Sequence, residues 1–319
     1  MNAMRNCAAR LGWHGDARVV LFHVDDAGLC RAANLGVIAA LEAGLARSCS
    51  VMTPCPGAEA IAAYLQARPD ADAGIHLTLT SEFGSFRWRP LTLPEDAPGL
   101  AGPEGFFWPS ARDVAAHATP EEVAREIRAQ TEAGRELGIP ITHLDAHMGT
   151  AFLRADFFDR YARAGAAAGV PVLAAVGPAS RARRLALLAR RAACKVRGTP
   201  CYEFPAVPGS LVSNVWDAGL PVVDRIHADA LGWPREEKKK RLMMFLRALR
   251  PGITVVLLHC ALPADDLRLL EDSGDSRVGD TEAITDPEVR ATVEAEGIVV
   301  TSWRELKRRR DAAAALAPA

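Results

Sequence analysis

The segment Thr142-His143-Leu144-Asp145-Ala146-His147 follows Ile139-Pro140-Ile141 and runs into Met148-Gly149-Thr150. It reads as a short β-strand. Side chains alternate faces along a strand, so His143, Asp145 and His147 share one face, and Leu144 and Ala146 the other. Three ionisable groups on one face make a poor core, because each needs a partner once desolvated. They suit a metal or proton-transfer site. A satisfied polar strand end explains the motif equally well, so the surrounding chain must decide.

Before it, Thr119-Pro120-Glu121-Glu122 is a helix start, with a hydroxyl N-cap, Pro at N1 and acids in the first turn. That helix is expected to reach about Leu137, closed by Gly138. Further back, 17–24 is an apolar, β-branched run that reads as a buried strand ending in the turn Asp25-Asp26-Ala27-Gly28. A helix at about 32–46, a strand at 50–54, a helix at 57–67 and a strand at 72–80 follow. After the motif come a helix at about 156–168 and strands at 171–176 and 222–226. A charged helix at 234–249 precedes a strand at 253–260. The pattern closes with a helix at 285–296, a strand at 298–301 and a helix at 302–310. Strands alternating with helices predict an α/β protein with a parallel sheet or barrel. Seven or eight such units predict a single, somewhat irregular (β/α)-barrel-like domain over 17–310. Residues 1–16 would be an N-terminal extension and 311–319 a flexible tail.

Two stretches break the rhythm. Residues 81–119 are rich in Pro, Gly and aromatics, and such a long insertion is expected to form a lid or binding loop. Its Trp88 and Trp108 are expected to contact substrate, since aromatic faces suit apolar ligand surface. Residues 177–220 form a second irregular insertion, interrupted by an Arg/Ala/Leu helix near 182–196.

Hydrophobic residues make up 49% of the 319 and charged residues 24%, which suits a soluble globular protein. A net charge of −1 leaves no global basic field for nucleic acid or anionic membrane. The seven cysteines include no Cys-x-x-Cys pair, which argues against a zinc ribbon or disulfide framework and for a reducing compartment. Residues 1–15 lack an apolar signal core, and the run near 253–258 is too short to span a bilayer. A cytoplasmic protein is expected, without nucleic-acid or membrane partners; homo-oligomerisation stays open. No Gly-rich dinucleotide fingerprint or Walker loop is present.

In parallel α/β folds active sites sit at the C-terminal strand ends. Four predicted strands put polar groups there: Asp25 and Asp26, then His76, then the His143/Asp145/His147 face, then His259. Each alone has an ordinary explanation, a turn or a core histidine bonded to a carbonyl. Together they account for four of only eight histidines and form one carboxylate–histidine rim. Two histidines and a carboxylate are a divalent-metal triad with open positions. Such a site acidifies bound water and polarises a carbonyl. A second carboxylate can take the water's proton, and a further histidine can protonate a leaving amine. The combination describes metal-assisted amide hydrolysis.

Asp25-Asp26-Ala27-Gly28-Leu29, Gly74-Ile75-His76-Leu77-Thr78-Leu79-Thr80, the Thr142–His147 motif and Leu258-His259 occur in that order. Together with Val299-Val300-Thr301-Ser302-Trp303-Arg304 they resemble the signature segments of the YdjC-like carbohydrate deacetylases, a family that includes chitooligosaccharide deacetylase and a hopanoid-associated group. The resemblance spans about Val19 to Leu306. It implies a barrel-like fold and removal of N-acetyl groups from amino sugars or glycan-like conjugates with one divalent metal ion, zinc or magnesium foremost. It implies Asp26, His76 and His147 as metal ligands, Asp25 as base, Asp145 as the carboxylate supporting them and His259 as general acid. His143 would be a pocket residue of unassigned role. Three segments depart from the family pattern. His23-Val24 replaces Asn-Ala and Ala27 replaces Phe; Met148-Gly149-Thr150 replaces a histidine-rich continuation; Cys260-Ala261-Leu262-Pro263 lacks a Pro-Gly pair. The ligand set survives these changes and the pocket wall does not. Competing readings are a metal hydrolase of an ester or phosphoester, and a carbohydrate-binding member without turnover. A Cys260–His259 nucleophile is disfavoured, because adjacent strand residues face opposite ways.

Overall fold

The computed structural model describes residues 6–176 and 207–316. A parallel sheet forms its centre, built from β1 (Arg18–Ala27), β2 (Ser48–Val51), β3 (Asp72–Leu77), β4 (Ile141–Ala146), β5 (Arg225–His227), β6 (Gly252–Leu258) and β7 (Val299–Val300). The order is β4-β3-β2-β1-β6-β5, with β7 also on β1. β1 pairs with β6 from Arg18 to Val24. β7 pairs with β1 at Val19 and Val20, and β2 from His23 onward. The sheet curls, and extended backbone at 171–176 links its ends. Leu173 N–H donates to the Leu144 carbonyl at 3.0 Å, Val223 N–H to Ala174 at 2.9 Å, and Asp224 N–H to Ile253 at 3.0 Å. The expected strand at 171–176 is therefore a pair of isolated bridges, Leu144 to Val172 and Ala175 to Val223. The next strand is the short β5, beginning three residues later than expected.

Helices α1 (Cys7–Arg10), α2 (Arg31–Ala43), α3 (Ala58–Gln66), α4 (Ala111–His117), α5 (Pro120–Glu136), α6 (Ala155–Ala168), α7 (Gly209–Asp217), α8 (Lys238–Arg247), α9 (Gly274–Thr285), α10 (Pro287–Ala295) and α11 (Trp303–Ala315) complete the described fold. α5 starts as its sequence dictates: Thr119 and Glu122 form a reciprocal capping box with Pro at N1. The helix α9 was not anticipated. α11 continues to Ala315, so the expected flexible tail begins as helix, held by Lys307–Asp311 and by the buried Arg310. The expected N-terminal extension packs its own buried Cys7, whose N–H meets the Asp224 carboxylate at 3.1 Å. The expected helix near 182–196 lies outside the described residues.

The insertion at 81–119 is ordered by α5. Glu122, Glu126 and Gln130 recur every four residues on its buried face. Glu122 accepts from Gly99 N–H, and Glu126 from Leu91 and Thr92 N–H. Gln130 exchanges two hydrogen bonds with the backbone of Thr78, just past β3. A buried polar stripe thus supplies partners that loop backbone would otherwise lack. Phe83, Trp88, Leu100 and Phe107 are buried within the insertion.

Paired residues of parallel strands share a face, so the register points His23, Ser48, Ser50, Gly74, His76, His143, Asp145 and Leu257 into the barrel. Gly74 is there for space: a Cβ on it would stand 2.4 Å from His143 Nε2. We expect Gly74→Ala to destabilise the fold by about 1–3 kcal/mol through overpacking. Gly209→Ala, at an open helical position, should be neutral or stabilising. Urea unfolding of both variants checks this.

Candidate active site

The site begins with a kink. Between Val24 and Ala27 two residues of β1, Asp25 and Asp26, oppose the single Ser50 of β2, a bulge, and Asp26 adopts a left-handed backbone with φ 62°. Asp tolerates that conformation better than most residues. Gly28 continues the turn at φ 87°, a conformation that strains any side chain, and Val51, Ala58 and Met52 would crowd a Cβ at 3.1–3.3 Å. On a regular strand Asp25 and Asp26 would face opposite ways. Here both are buried at the rim and face its histidines.

Asp26 Oδ1, His76 Nε2 and His147 Nδ1 lie 3.2 Å from one another. Asp26 Oδ1 is buried and takes part in no hydrogen bond. The far side of each ring is held: His76 Nδ1 lies 2.8 Å from Asp145 Oδ1, and His147 Nε2 lies 3.0 Å from Glu82. A carboxylate on one imidazole nitrogen places the hydrogen there and leaves the other nitrogen's lone pair free. Both free nitrogens then converge on the orphaned carboxylate oxygen. This donor set fits a divalent ion. Arg277 Nη1 holds the other Asp26 oxygen at 2.7 Å. Asp25 stands alongside, with Oδ1 3.2 Å from His23 Nε2 and Oδ2 3.6 Å from His259 Nε2.

Electrostatics favour a cation. Asp25, Asp26, Asp145 and Glu82 surround the point of convergence, against the single guanidinium of Arg277 among the described residues. Burial opposes charge on His76, yet Asp145 and Asp25 draw it well above the ordinary imidazole range. Burial likewise opposes His147, but Glu82 and Asp26 raise it to about 9. Burial would raise Asp26; Arg277 leads the charges that hold it well below the carboxylate range. Burial pushes Asp25 up to about 7, with His76 opposing and Asp145 adding. Burial lowers His259 to about 3, with Arg277 and His76 reinforcing it against Asp26.

The remaining expected residues fall into two groups. His259 follows β6 directly, its N–H donated to Asp280 Oδ2 at 3.0 Å. Asp280 is in turn paired with the buried Lys238 at 2.6 Å. His143 lies deeper, stacked on Trp303 with centroids 5.0 Å apart and edge-on to His23. Burial leaves it far below the imidazole range. It is therefore an interior residue and not a pocket wall, a correction to its expected place. Trp88 approaches His147 edgewise at 6.4 Å but is 3% exposed, its indole N–H spent on the Thr80 carbonyl. Trp108 stacks on His117 and donates to Gly99 within the insertion. Trp88 is too buried to offer the stacking face expected of it, whereas Trp108 is half-buried with one face on His117. Burial raises the Cys260 thiol well above its usual range, which removes it as a nucleophile. His23, Glu82 and Arg277 went unrecognised in the sequence. Glu82 and Arg277 sit in segments with no strand signal; His23 shares a strand face with Asp25, a signal that could have found it.

A family profile described as YdjC-like protein matches residues 19–295. The chain belongs to the YdjC-like family. Its similarity to a carbohydrate deacetylase of Thermus thermophilus is 35% identity over 298 residues, 93% of this chain and 97% of that protein. A carbohydrate deacetylase of Thermoanaerobacter pseudethanolicus is 25% identical over 91% of this chain and 100% of its own. A solved structure from Enterococcus faecalis, named for cellobiose-phosphate cleavage, shares the fold with a TM-score of 0.72 at 19% identity. It covers 91% of this chain and 99% of that one. No helix among the described residues is long and apolar enough to cross a membrane.

In this YdjC-like site Arg277 and Asp26 are both buried, so removing either partner strands a charge. We expect Arg277→Leu to cost about 3–5 kcal/mol in chelator-treated protein. The loss should shrink markedly in an Asp26→Asn background, where no charge remains to compensate. Urea unfolding of the double-mutant cycle measures the coupling.

Proposed function

We propose that this chain is a metal-dependent N-deacetylase acting on the acetamide of an acetylated amino sugar or glycan-like conjugate. The observation that carries the reading is the convergence of Asp26 Oδ1, His76 Nε2 and His147 Nδ1 within 3.2 Å of one another beside Asp25. The names of the relatives from Thermus thermophilus and Thermoanaerobacter pseudethanolicus support the substrate class. Asp26, His76 and His147 would hold one divalent ion; two imidazoles suit zinc better than magnesium, which prefers all-oxygen shells. When bound, that ion would polarise the acetyl carbonyl and acidify water.

The chain's own groups do the proton work. Asp25 takes the proton of the attacking water; its Oδ1 accepts no hydrogen bond, and burial pushes the group up to about 7, close to the pH at which a base works well. Breaking the C–N bond requires a proton on the leaving nitrogen. His259, 3.6 Å from the other Asp25 oxygen, carries no extra proton at rest, since burial lowers it to about 3. It would relay the proton that Asp25 collects to the leaving nitrogen as the C–N bond breaks, without holding it at rest. Glu82 and Asp145 keep His147 and His76 in the ligating tautomers. A phosphoester substrate would call for cations at the rim, and Arg277 is already committed to Asp26.

Asp25→Asn should lower acetate release from an acetylated amino-sugar panel by about 10²-fold or more while elemental analysis finds the metal retained. Unchanged turnover would remove Asp25 as the base. His259→Ala should lose most activity on the acetylated amine and much less on an aryl acetate, whose leaving group needs little protonation. Equal losses on both would assign His259 to binding or structure.

A further inference from the structure

We infer that His23 is a positioning residue for the metal centre: it anchors Asp145, the carboxylate that orients His76, to the floor of the barrel and keeps it turned away from Asp25. The inference rests on the reading that Asp26, His76 and His147 hold a divalent ion.

His23 is fully buried and cannot meet substrate. Both of its ring nitrogens are engaged. Nδ1 faces Ser48 Oγ at 2.6 Å and the Trp303 indole N–H at 3.4 Å. An indole N–H can only donate, and a hydroxyl can, so Nδ1 accepts and Nε2 is left to carry the ring hydrogen. That nitrogen lies 2.6 Å from Asp145 Oδ2, to which Ser50 also donates at 2.8 Å. The other Asp145 oxygen meets His76 Nδ1 at 2.8 Å. A single line of hydrogen bonds therefore runs from Trp303 and Ser48 through His23, Asp145 and His76 to the nitrogen facing Asp26.

His23 is the rigid member of that line. His143 lies edge-on to it at 4.9 Å, Trp303 packs against it at 6.1 Å, and Gly74 leaves room for His143. Ser50 alone could not hold Asp145 as well. Its hydroxyl is also within 3.1 Å of His23 Nε2 and 3.2 Å of His76 Nδ1, and one hydroxyl hydrogen cannot serve every neighbour. Asp25 and Asp145 offer ligand atoms within 4.8 Å of each other. His23 Nε2 stands between them, bonded to Asp145 and 3.2 Å from Asp25 Oδ1, which accepts no hydrogen bond. Loss of the imidazole would free Asp145 to turn about its Cβ–Cγ bond, and His76 would lose the partner that fixes its ring.

The test is zinc affinity, by competition with a chromophoric chelator, together with the visible spectrum of the cobalt(II)-loaded protein. His23→Leu should bind zinc about 10–100-fold more weakly and shift the cobalt bands. His23→Gln, whose amide N–H can still reach Asp145, should stay within a few-fold of wild type. In turnover the Leu variant should lose kcat with KM little changed. Ser48→Ala removes one donor to Nδ1 and should weaken zinc by a smaller factor; it decides the matter if His23→Leu does not fold. Wild-type zinc affinity and cobalt spectrum in folded His23→Leu, or otherwise in Ser48→Ala, would overturn the role. Failure of the underlying reading looks different: wild type and His147→Ala would then bind zinc equally.

Discussion

Two consecutive aspartates cannot face the same centre from a regular strand. The bulge in β1 and the left-handed backbone at Asp26 remove that restriction, and the rest of the site depends on it. Asp26 thereby meets His76 and His147, while Asp25 stands between His23 and His259. A backbone in this region carries a cost of order 1–3 kcal/mol at a non-glycine residue. The surroundings over-determine it: Arg277 grips the Asp26 carboxylate, Asn34 Oδ1 accepts the Gly28 N–H, and the Gly28 carbonyl accepts from Gly57.

The second constraint is charge. An ordinary barrel fills its interior with branched apolar side chains. Here His23, His76, His143, Asp145, Ser48 and Ser50 occupy interior positions and Trp303 packs beneath them. Such an interior is tolerable only where nearly every polar atom has a partner. The partnerless buried atoms at the site include Asp25 Oδ1, Asp26 Oδ1 and His259 Nδ1. Two of these belong to Asp25 and His259, the proposed base and acid, and the third faces the two imidazole nitrogens. Stability has to come from the apolar ring outside, where residues such as Ile75, Leu144 and Val37 are buried around the sheet.

The barrel-like fold and the rim histidines were legible because strand periodicity and strand ends are local signals. Period-two alternation in 142–147 is enough to put His143, Asp145 and His147 on one face. The capping box at Thr119 is equally local. What alternation could not convey is depth: His143 lies four residues below His147, so it meets Trp303 and not the rim. Glu82, Arg277 and Asp280 were illegible because their roles are set by long-range packing and no local period marks them. The buried aromatics of 81–119 are illegible for a related reason. A Pro- and aromatic-rich stretch reads as a binding loop, but buried acids on α5 satisfy its backbone, so several of its rings pack inward. The helix α9 was missed because its polar residues are buried, which erases the amphipathic pattern.

That helix shows how rigidity reaches the centre. Arg277 and Asp280 lie three residues apart, and so on one face. Arg277 reaches Asp26 at the end of β1, and Asp280 takes the His259 N–H at the end of β6. β1 and β6 are neighbours in the sheet, so one helical face fixes the spacing of the proposed ligand Asp26 and the proposed acid His259. Lys238, from α8, locks Asp280 from behind at 2.6 Å. Buried ion pairs like these add little net stability, because desolvation offsets most of their attraction. Their value lies in geometry: a carboxylate held by a buried cation on one oxygen has its other oxygen aimed, at Asp26 toward the imidazoles and at Asp280 toward the His259 backbone. Positions held this way can stay accurate to a fraction of an ångström, which a centre assembled from several separate strand ends requires.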